Sequence, residues 1–245
     1  MSLTLGKKLI PQSWHDALQF DREPVRQFMI RELLPRIKPT DEVLDAGSGN
    51  LREQRIRPEL LATGAKLTTL DFMAGDGIDL VADITHTGLP TESYDVVVCL
   101  QVLEHVQNPS AVCQELARLV KPGGWVAISA PQSYWLHNLP YHYFHHTREG
   151  LALLCREAGL EVCVTEPQGG HFLLLGHMMH YTCRVLERHA AGMIWGTLGK
   201  PFFAVLRLGL GFGFKALCLG LDRLIPDETN TLGWNIICQK PGVQP

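Results

Sequence analysis

No stretch of this chain is strongly basic. Lys and Arg total 22 against 25 Asp and Glu, a formal net charge of −3. A nucleic-acid partner is therefore not expected, since phosphate binding draws on a basic patch or a high isoelectric point. Seven cysteines occur without one Cys-x-x-Cys pair, and an odd, unpaired set reads as reduced, partly buried thiols of a cytoplasmic protein. Met1 to Ile10 holds two lysines but no long apolar core or cleavage site, so no secretory signal is expected there. Internal repeats and low-complexity runs are absent. Also absent is Gly-x-Gly-x-x-Gly, the turn by which dinucleotide enzymes hold pyrophosphate. What remains is a 245-residue chain with an apolar fraction of 46%, long enough for one α/β domain plus an insertion.

The most informative residues are Val43-Leu44-Asp45-Ala46-Gly47-Ser48-Gly49. A buried strand running into two closely spaced glycines lets backbone N–H groups approach a ligand. A carboxylate in that turn repels pyrophosphate and favours an ammonium or sulfonium. The turn therefore suits a cationic nucleoside such as S-adenosylmethionine better than a dinucleotide. A second β-type run, Lys66 to Leu70, closes on Asp71, 22 residues after Gly49, a spacing at which an acid accepts from ribose hydroxyls. A third, Ile78 to Ala82, leads to Asp83-Ile84, placed to meet an adenine amino group and ring. A fourth, Tyr94 to Leu100, is apolar enough for burial on both faces. A helix is predicted from Pro109 with Asn108 as its cap, ended by Lys121-Pro122-Gly123-Gly124. Trp125 to Ala130 is the fifth strand. Thr147 caps a helix to about Ala158 that Gly159 ends. Leu160 to Thr165 and Trp234 to Gln239 are the sixth and seventh strands. Ahead of the first strand, Val25, Phe28, Met29 and Leu33 recur at helical spacing after Asp21, with Trp14 and Phe20 nearby. That helix packs on the sheet edge or covers the cofactor.

The ordered set Leu-Asp-Ala-Gly-Ser-Gly, Thr-Leu-Asp, Ala-Asp-Ile, Val-Leu-Glu-His-Val, Lys-Pro-Gly-Gly and Ser-Ala-Pro resembles the class I S-adenosylmethionine-dependent methyltransferases. Within them it resembles the type 11, ubiquinone-methyltransferase-like branch, over about residues 40–166. The resemblance implies a Rossmann-like, doubly wound sheet of seven mostly parallel strands, helices on both faces and an antiparallel last strand. It implies S-adenosylmethionine as cofactor and a small-molecule acceptor; a lipid-linked acceptor is suggested by the apolar insertion at 171–227, not by the resemblance. Asp45, Gly47 and Gly49 would hold the methionine end, Asp71 the ribose and Asp83 the adenine, with Ile84 on its ring; Ser48, Phe72, Leu100 and Gln101 complete the cofactor-binding set. Where the family has its usual third glycine of the turn, this chain has Leu51.

Open α/β sheets bind ligands at the carboxyl ends of their strands. His105, His142, His145 and His146 follow strands four and five, and one of them would serve as a base if the acceptor must lose a proton. Relatives that bind a divalent ion carry Glu-x-x-Glu-His here. This chain reads Gln101-Val102-Leu103-Glu104-His105, and glutamine does not supply the missing charge for a hard cation. His177 and His180 also lie three apart but lack a carboxylate in register. No metal site is expected.

Residues 171–227 interrupt the fold between the sixth and seventh strands. The methyltransferase domain is accordingly expected over 1–170 and 228–245, with 171–227 as an apolar helical subdomain. From Phe202 to Leu221 only Arg207 and Lys215 are charged. The length matches a bilayer span, but the two charges oppose one, and a single span would put the last strand on the wrong side of the membrane. The insertion carries six Lys or Arg against three Asp or Glu, or +3, leaving −6 for the rest of the chain. Basic residues beside apolar ones favour an anionic lipid surface at the cytoplasmic face. Phe202, Phe203, Leu206, Leu210 and Phe214 are then the lipid-facing or acceptor-facing set, and Arg207, Lys215 and Arg223 the headgroup contacts. A lid buried on the domain or in a dimer is the alternative.

Overall fold

The computed structural model describes residues 23–49, 56–191, 205, 209–210 and 213–242. Trp14, Phe20, Asp21, Leu51, Phe202, Phe203, Leu206 and Arg207 lie outside the described residues. The chain divides into two compact units, Val25–Gln168 with Thr231–Pro245, and Gly169–Asn230 with Met1–Pro24.

The larger unit is built on seven strands: β1 Glu42–Ala46, β2 Lys66–Asp71, β3 Leu80–Val81, β4 Tyr94–Leu100, β5 Val120–Pro131, β6 Glu161–Pro167 and β7 Gly233–Gln239. Their order in the sheet is β3-β2-β1-β4-β5-β7-β6. β7 runs antiparallel to both β5 and β6, and the remaining pairs are parallel. Alternate residues of the central strands feed two cores, as parallel strands buried on both faces require. On one face Leu44, Val97, Cys99, Val126 and Ile128 meet Val112 and Leu116 of α3 (Pro109–Leu119) and Leu151 and Cys155 of α4 (Arg148–Glu157). On the other, Val43, Val96, Val98 and Ala127 meet Phe28, Met29 and Leu33 and Leu60 of α2 (Arg57–Ala62). Phe28 ends α1 (Glu23–Phe28), which widens into a π turn over Met29–Leu33 and closes as a 3₁₀ turn over Leu34–Arg36.

Both predicted caps form. Asn108 Oδ1 accepts from the Ala111 N–H at 3.1 Å and Thr147 Oγ1 from the Gly150 N–H at 3.1 Å. Two boundaries differ from expectation. Lys121–Gly124 does not terminate α3, which stops at Leu119; it lies within β5, where the register against β4 shifts between Tyr94 and Val96. Gly124 is needed there, since a Cβ would stand 2.6 Å from the Asp95 carbonyl oxygen. The third strand shrinks to Leu80–Val81 because Asp79 binds sideways, its carboxylate accepting from the Thr69 N–H and hydroxyl, both at 2.8 Å.

The smaller unit contains α5 (His171–Ala191) and α6 (Phe214–Leu224). They approach closely at Gly176, where a Cβ would meet Cys218 Cβ at 2.9 Å and Lys215 Cα at 3.0 Å. Asp222 on α6 accepts from the Gly170 and Leu173 N–H groups at 2.8 and 3.0 Å, satisfying open donors at the start of α5. Lys215, expected among the headgroup contacts, is instead buried at 2% exposure beside that close approach. Among the described residues, no helix is long and apolar enough to cross a membrane.

Candidate active site

The glycine turn after β1 is held from the neighbouring strand. The N–H groups of Gly47 and Ser48 both donate to the Leu70 carbonyl, at 2.7 and 3.1 Å. Gly47 and Gly49 adopt φ of +76° and +66°, a conformation costly for any residue with a Cβ. At Gly47 a Cβ would also lie 2.4 Å from Val102 Cγ2, so the turn is pressed against the segment that leaves β4. Ser48 is buried, its hydroxyl 3.4 Å from the Gly49 carbonyl.

Three carboxylates mark the carboxyl ends of the first three strands: Asp45 near the end of β1, Asp71 closing β2 and Asp83 two residues after β3. Asp45 is buried, and desolvation pushes its carboxyl up to about 7, with Arg57 opposing and the Asp71 charge adding to the rise. Asp71 bridges the turn to its own loop, accepting from the Gly49 N–H at 2.9 Å and the Met73 N–H at 3.1 Å. Asp83 is exposed, and bonds from the Thr85 N–H and hydroxyl hold its carboxyl below the usual range. Phe72 is 74% exposed beside Asp71, whereas Ile84 is buried in the sheet core. Leu100 is half-buried at the end of β4. Gln101 takes φ of +57°, rare for a residue with a side chain. Its N–H and side-chain amide fix it to Ser129, at 2.8 Å to the carbonyl and 3.1 Å to the hydroxyl.

The fold gathers three of the four predicted histidines. His105, His142 and His145 lie in one ring cluster, joined by His137, which sequence reasoning did not single out. His137 has no spacing motif; only the turn over residues 137–142 brings it beside His105. Burial, reinforced by the charges of His142 and His137, lowers the His145 pKa. His146 stands apart beside Phe144, 7% exposed, its pKa lowered chiefly by burial. Glu104, next to His105 in sequence, is fully buried, with Oε1 3.7 Å from His105 Nε2.

Strand order, glycine turn and carboxylates together define a nucleoside-binding methyltransferase fold. The residues fit S-adenosylmethionine: a turn that a Cβ would fill, a buried acid leading into it that suits a cation, and acids at the ends of the next two strands. A family model described as a methyltransferase domain matches residues 19–165. A ubiquinone biosynthesis O-methyltransferase of Bordetella avium is 33% identical over 168 residues, 56% of this chain and 69% of that protein. One of the same name from Hydrogenovibrio crunogenus is 35% identical over 88 residues, only 36% of either chain. In fold the chain is similar to a putative sarcosine dimethylglycine methyltransferase of Galdieria sulphuraria, with a TM-score of 0.56, 16% identity and coverage of 93% of this chain and 88% of that one. The chain belongs to the class I S-adenosylmethionine-dependent methyltransferases, in the ubiquinone-methyltransferase-like branch. It is an enzyme, and S-adenosylmethionine is its cofactor.

The Asp45 carboxyl gives a testable pH dependence. Its folded pKa is raised above the unfolded value, so between about pH 4 and 7 the unfolded chain holds fewer protons. Ligand-free stability should therefore fall as pH rises through that window and level off above it. Binding a cation favours the ionised form, so cofactor affinity should climb with pH towards 7, by at most about tenfold per unit for one proton. Calorimetry on wild type and Asp45→Asn between pH 6 and 8 checks both signs, the variant cancelling any titration of the ligand itself. Parallel slopes would exclude Asp45 from the linkage.

Proposed function

We propose that the protein transfers a methyl group to a hydroxyl oxygen of an amphiphilic, lipid-linked acceptor at a membrane surface. The cofactor supplies an electrophilic methyl on a sulfonium. Asp45, Gly47, Ser48 and Gly49 hold its methionine end, Asp71 and Phe72 its ribose, Asp83 and Ile84 its adenine, with Leu100 and Gln101 beside them. Most of the rate then comes from positioning, worth several kcal/mol or more when reactants are held in line. A hydroxyl acceptor must lose a proton, and one of His105, His142, His145 and His146 takes it. Oxygen as the accepting atom is supported by the names of the relatives, O-methyltransferases of ubiquinone biosynthesis.

The observation that carries the amphiphilic acceptor is the apolar surface of the smaller unit. Leu175, Met178, Leu186, Leu217 and Leu224 are 41–79% exposed on its two helices, a concentration that marks an interaction surface. Exposed Arg184, Arg188 and Arg223 accompany them, as at an anionic lipid interface. In this reading 1–170 with 228–245 is the catalytic domain and 171–227 the membrane-facing subdomain. Flotation with anionic and neutral vesicles tests it, using the intact chain and one with 171–227 replaced by a short linker. The intact chain should float with anionic vesicles, less so as salt rises, since charges are screened within about 8 Å at physiological ionic strength. It should also methylate a prenylated phenol in those vesicles faster than a soluble phenol. If it stays with the soluble fraction at low salt while binding cofactor, the two helices are a lid or a dimer surface.

A further inference from the structure

The geometry points to a three-imidazole metal site made by His105, His137 and His142, taking a borderline divalent transition ion such as zinc. One ring nitrogen from each of the three lies within 4.8 Å of the others, the one such group among the described residues.

Hydrogen bonding already presents two of the rings as ligands. His105 Nδ1 lies 2.6 Å from the Tyr141 carbonyl and His137 Nδ1 lies 3.1 Å from the Trp135 carbonyl. A carbonyl only accepts, so each Nδ1 carries a proton, and in the neutral ring each Nε2 then holds the lone pair. Those two Nε2 atoms face each other at 3.1 Å. Two lone pairs at that separation repel unless a proton or a metal ion lies between them, and a third imidazole beside them favours the metal ion. Tetrahedral zinc, at 2.0–2.1 Å from each nitrogen, sets neighbouring ligands roughly 3.3 Å apart, close to the spacing present. The two backbone carbonyls are the outer partners that metal-bound histidines ordinarily have. His142 supplies the third ring, with a buried Nε2 that lacks a hydrogen-bond partner; its Nδ1 holds only a long 3.3 Å bond from the His137 N–H. The buried Glu104 carboxyl lies 3.7 Å from His105 Nε2, where its ionised form favours a dication.

This set differs from the paired carboxylates of a Glu-x-x-Glu-His site. Gln101 stands in place of one of those acids and its amide is bonded to Ser129. Two of the three ligands come instead from the loop after β5, and imidazoles select zinc, cobalt, nickel or copper over magnesium. A metal-bound ring nitrogen has no lone pair left for a proton, so His105 and His142 act as ligands and leave the task of a base to His145 or His146. Three protein ligands also leave a position open to water or to an oxygen of the acceptor.

The test uses the full chain, stripped with a chelator and titrated with cobalt(II), followed by zinc competition. One cobalt per chain is expected, with the intense visible bands of a tetrahedral site. His137→Ala and His142→Ala should each weaken binding by about 100-fold or more, since even outer partners of metal ligands are worth 10- to 100-fold. The exposed His86→Ala should leave it unchanged. Retained S-adenosylmethionine binding shows that the variants fold. If an alanine variant does not fold, His137→Asn and the zinc-dependent rise in Tm of wild type, lost in His142→Asn, give the same reading. Three results overturn the site: no cobalt or zinc binding tighter than millimolar, binding unaltered in both His137→Ala and His142→Ala, or magnesium bound through Glu104 with neither variant affecting it. The first of these means that His105 and His137 share a proton. Metal is read directly, so failure of the lipid-acceptor proposal leaves this one standing, and the reverse holds too.

Discussion

Gly47→Val should abolish measurable S-adenosylmethionine binding. Two independent constraints meet at this position. The backbone sits at φ of +76°, and a Cβ would overlap Val102 Cγ2 at 2.4 Å. Holding a branched residue there costs on the order of 1–3 kcal/mol in backbone strain alone, and the clash forces Val102 or the turn to move. The turn cannot shift freely, because its next two amides are tied to Leu70 and Asp71. A fall from micromolar to millimolar affinity, about 4 kcal/mol, is the expected minimum. Gly88 is the matched control: its φ is +71° but nothing lies within 4 Å, so Gly88→Ala should carry some strain and leave cofactor binding intact. Pairing Gly47→Ala with Val102→Ala separates the causes, restoring stability without restoring affinity. Full recovery of affinity in that pair would mean that the backbone conformation and the space in front of the turn do not matter for the ligand.

Asp71→Ala should weaken cofactor binding by roughly 100-fold. In the proposed site the carboxylate accepts from the ribose while also accepting from Gly49 and Met73. Removal leaves ribose hydroxyls and the Gly49 amide unpaired, at about 1–3 kcal/mol for each group stranded away from water. Asp71→Asn keeps one accepting oxygen and should fall between. A ligand lacking the ribose hydroxyl distinguishes the direct effect from the loss of the turn. Wild type should prefer intact S-adenosylhomocysteine over the deoxy analogue, and Asp71→Ala should show no preference. Equal affinity of wild type and variant for the intact ligand would take Asp71 out of the site.

Much of this site was legible because it is local. The turn, Asp71 and Asp83 each follow a strand whose apolar run ends visibly, and the two helix caps lie one residue before their helices. What the sequence hid is contact across the chain. Val102 against Gly47 joins residues 55 positions apart, and His137 meets His105 only through the geometry of a turn. Lys121–Gly124 reads as a helix stop by composition, yet pairing with β4 absorbs it into a strand. Lys215 looked like a surface charge because its neighbours in sequence are apolar, but the glycine opposite it brings a second helix close enough to cover it.

The pairing of β6 with β7 has a consequence for how this fold tolerates change. Pro167 and Trp234 are partners in register, and the Gln168 N–H donates to the Gly233 carbonyl at 2.7 Å. The chain thus leaves the sheet and returns to it at adjacent points, as though Gly169–Asn230 were an overgrown hairpin loop. Closure entropy rises only with the logarithm of loop length, so the difference between a few residues and this whole segment is about 2 kcal/mol. Segments of widely different size can be exchanged at this seam while the strands on either side keep their partners.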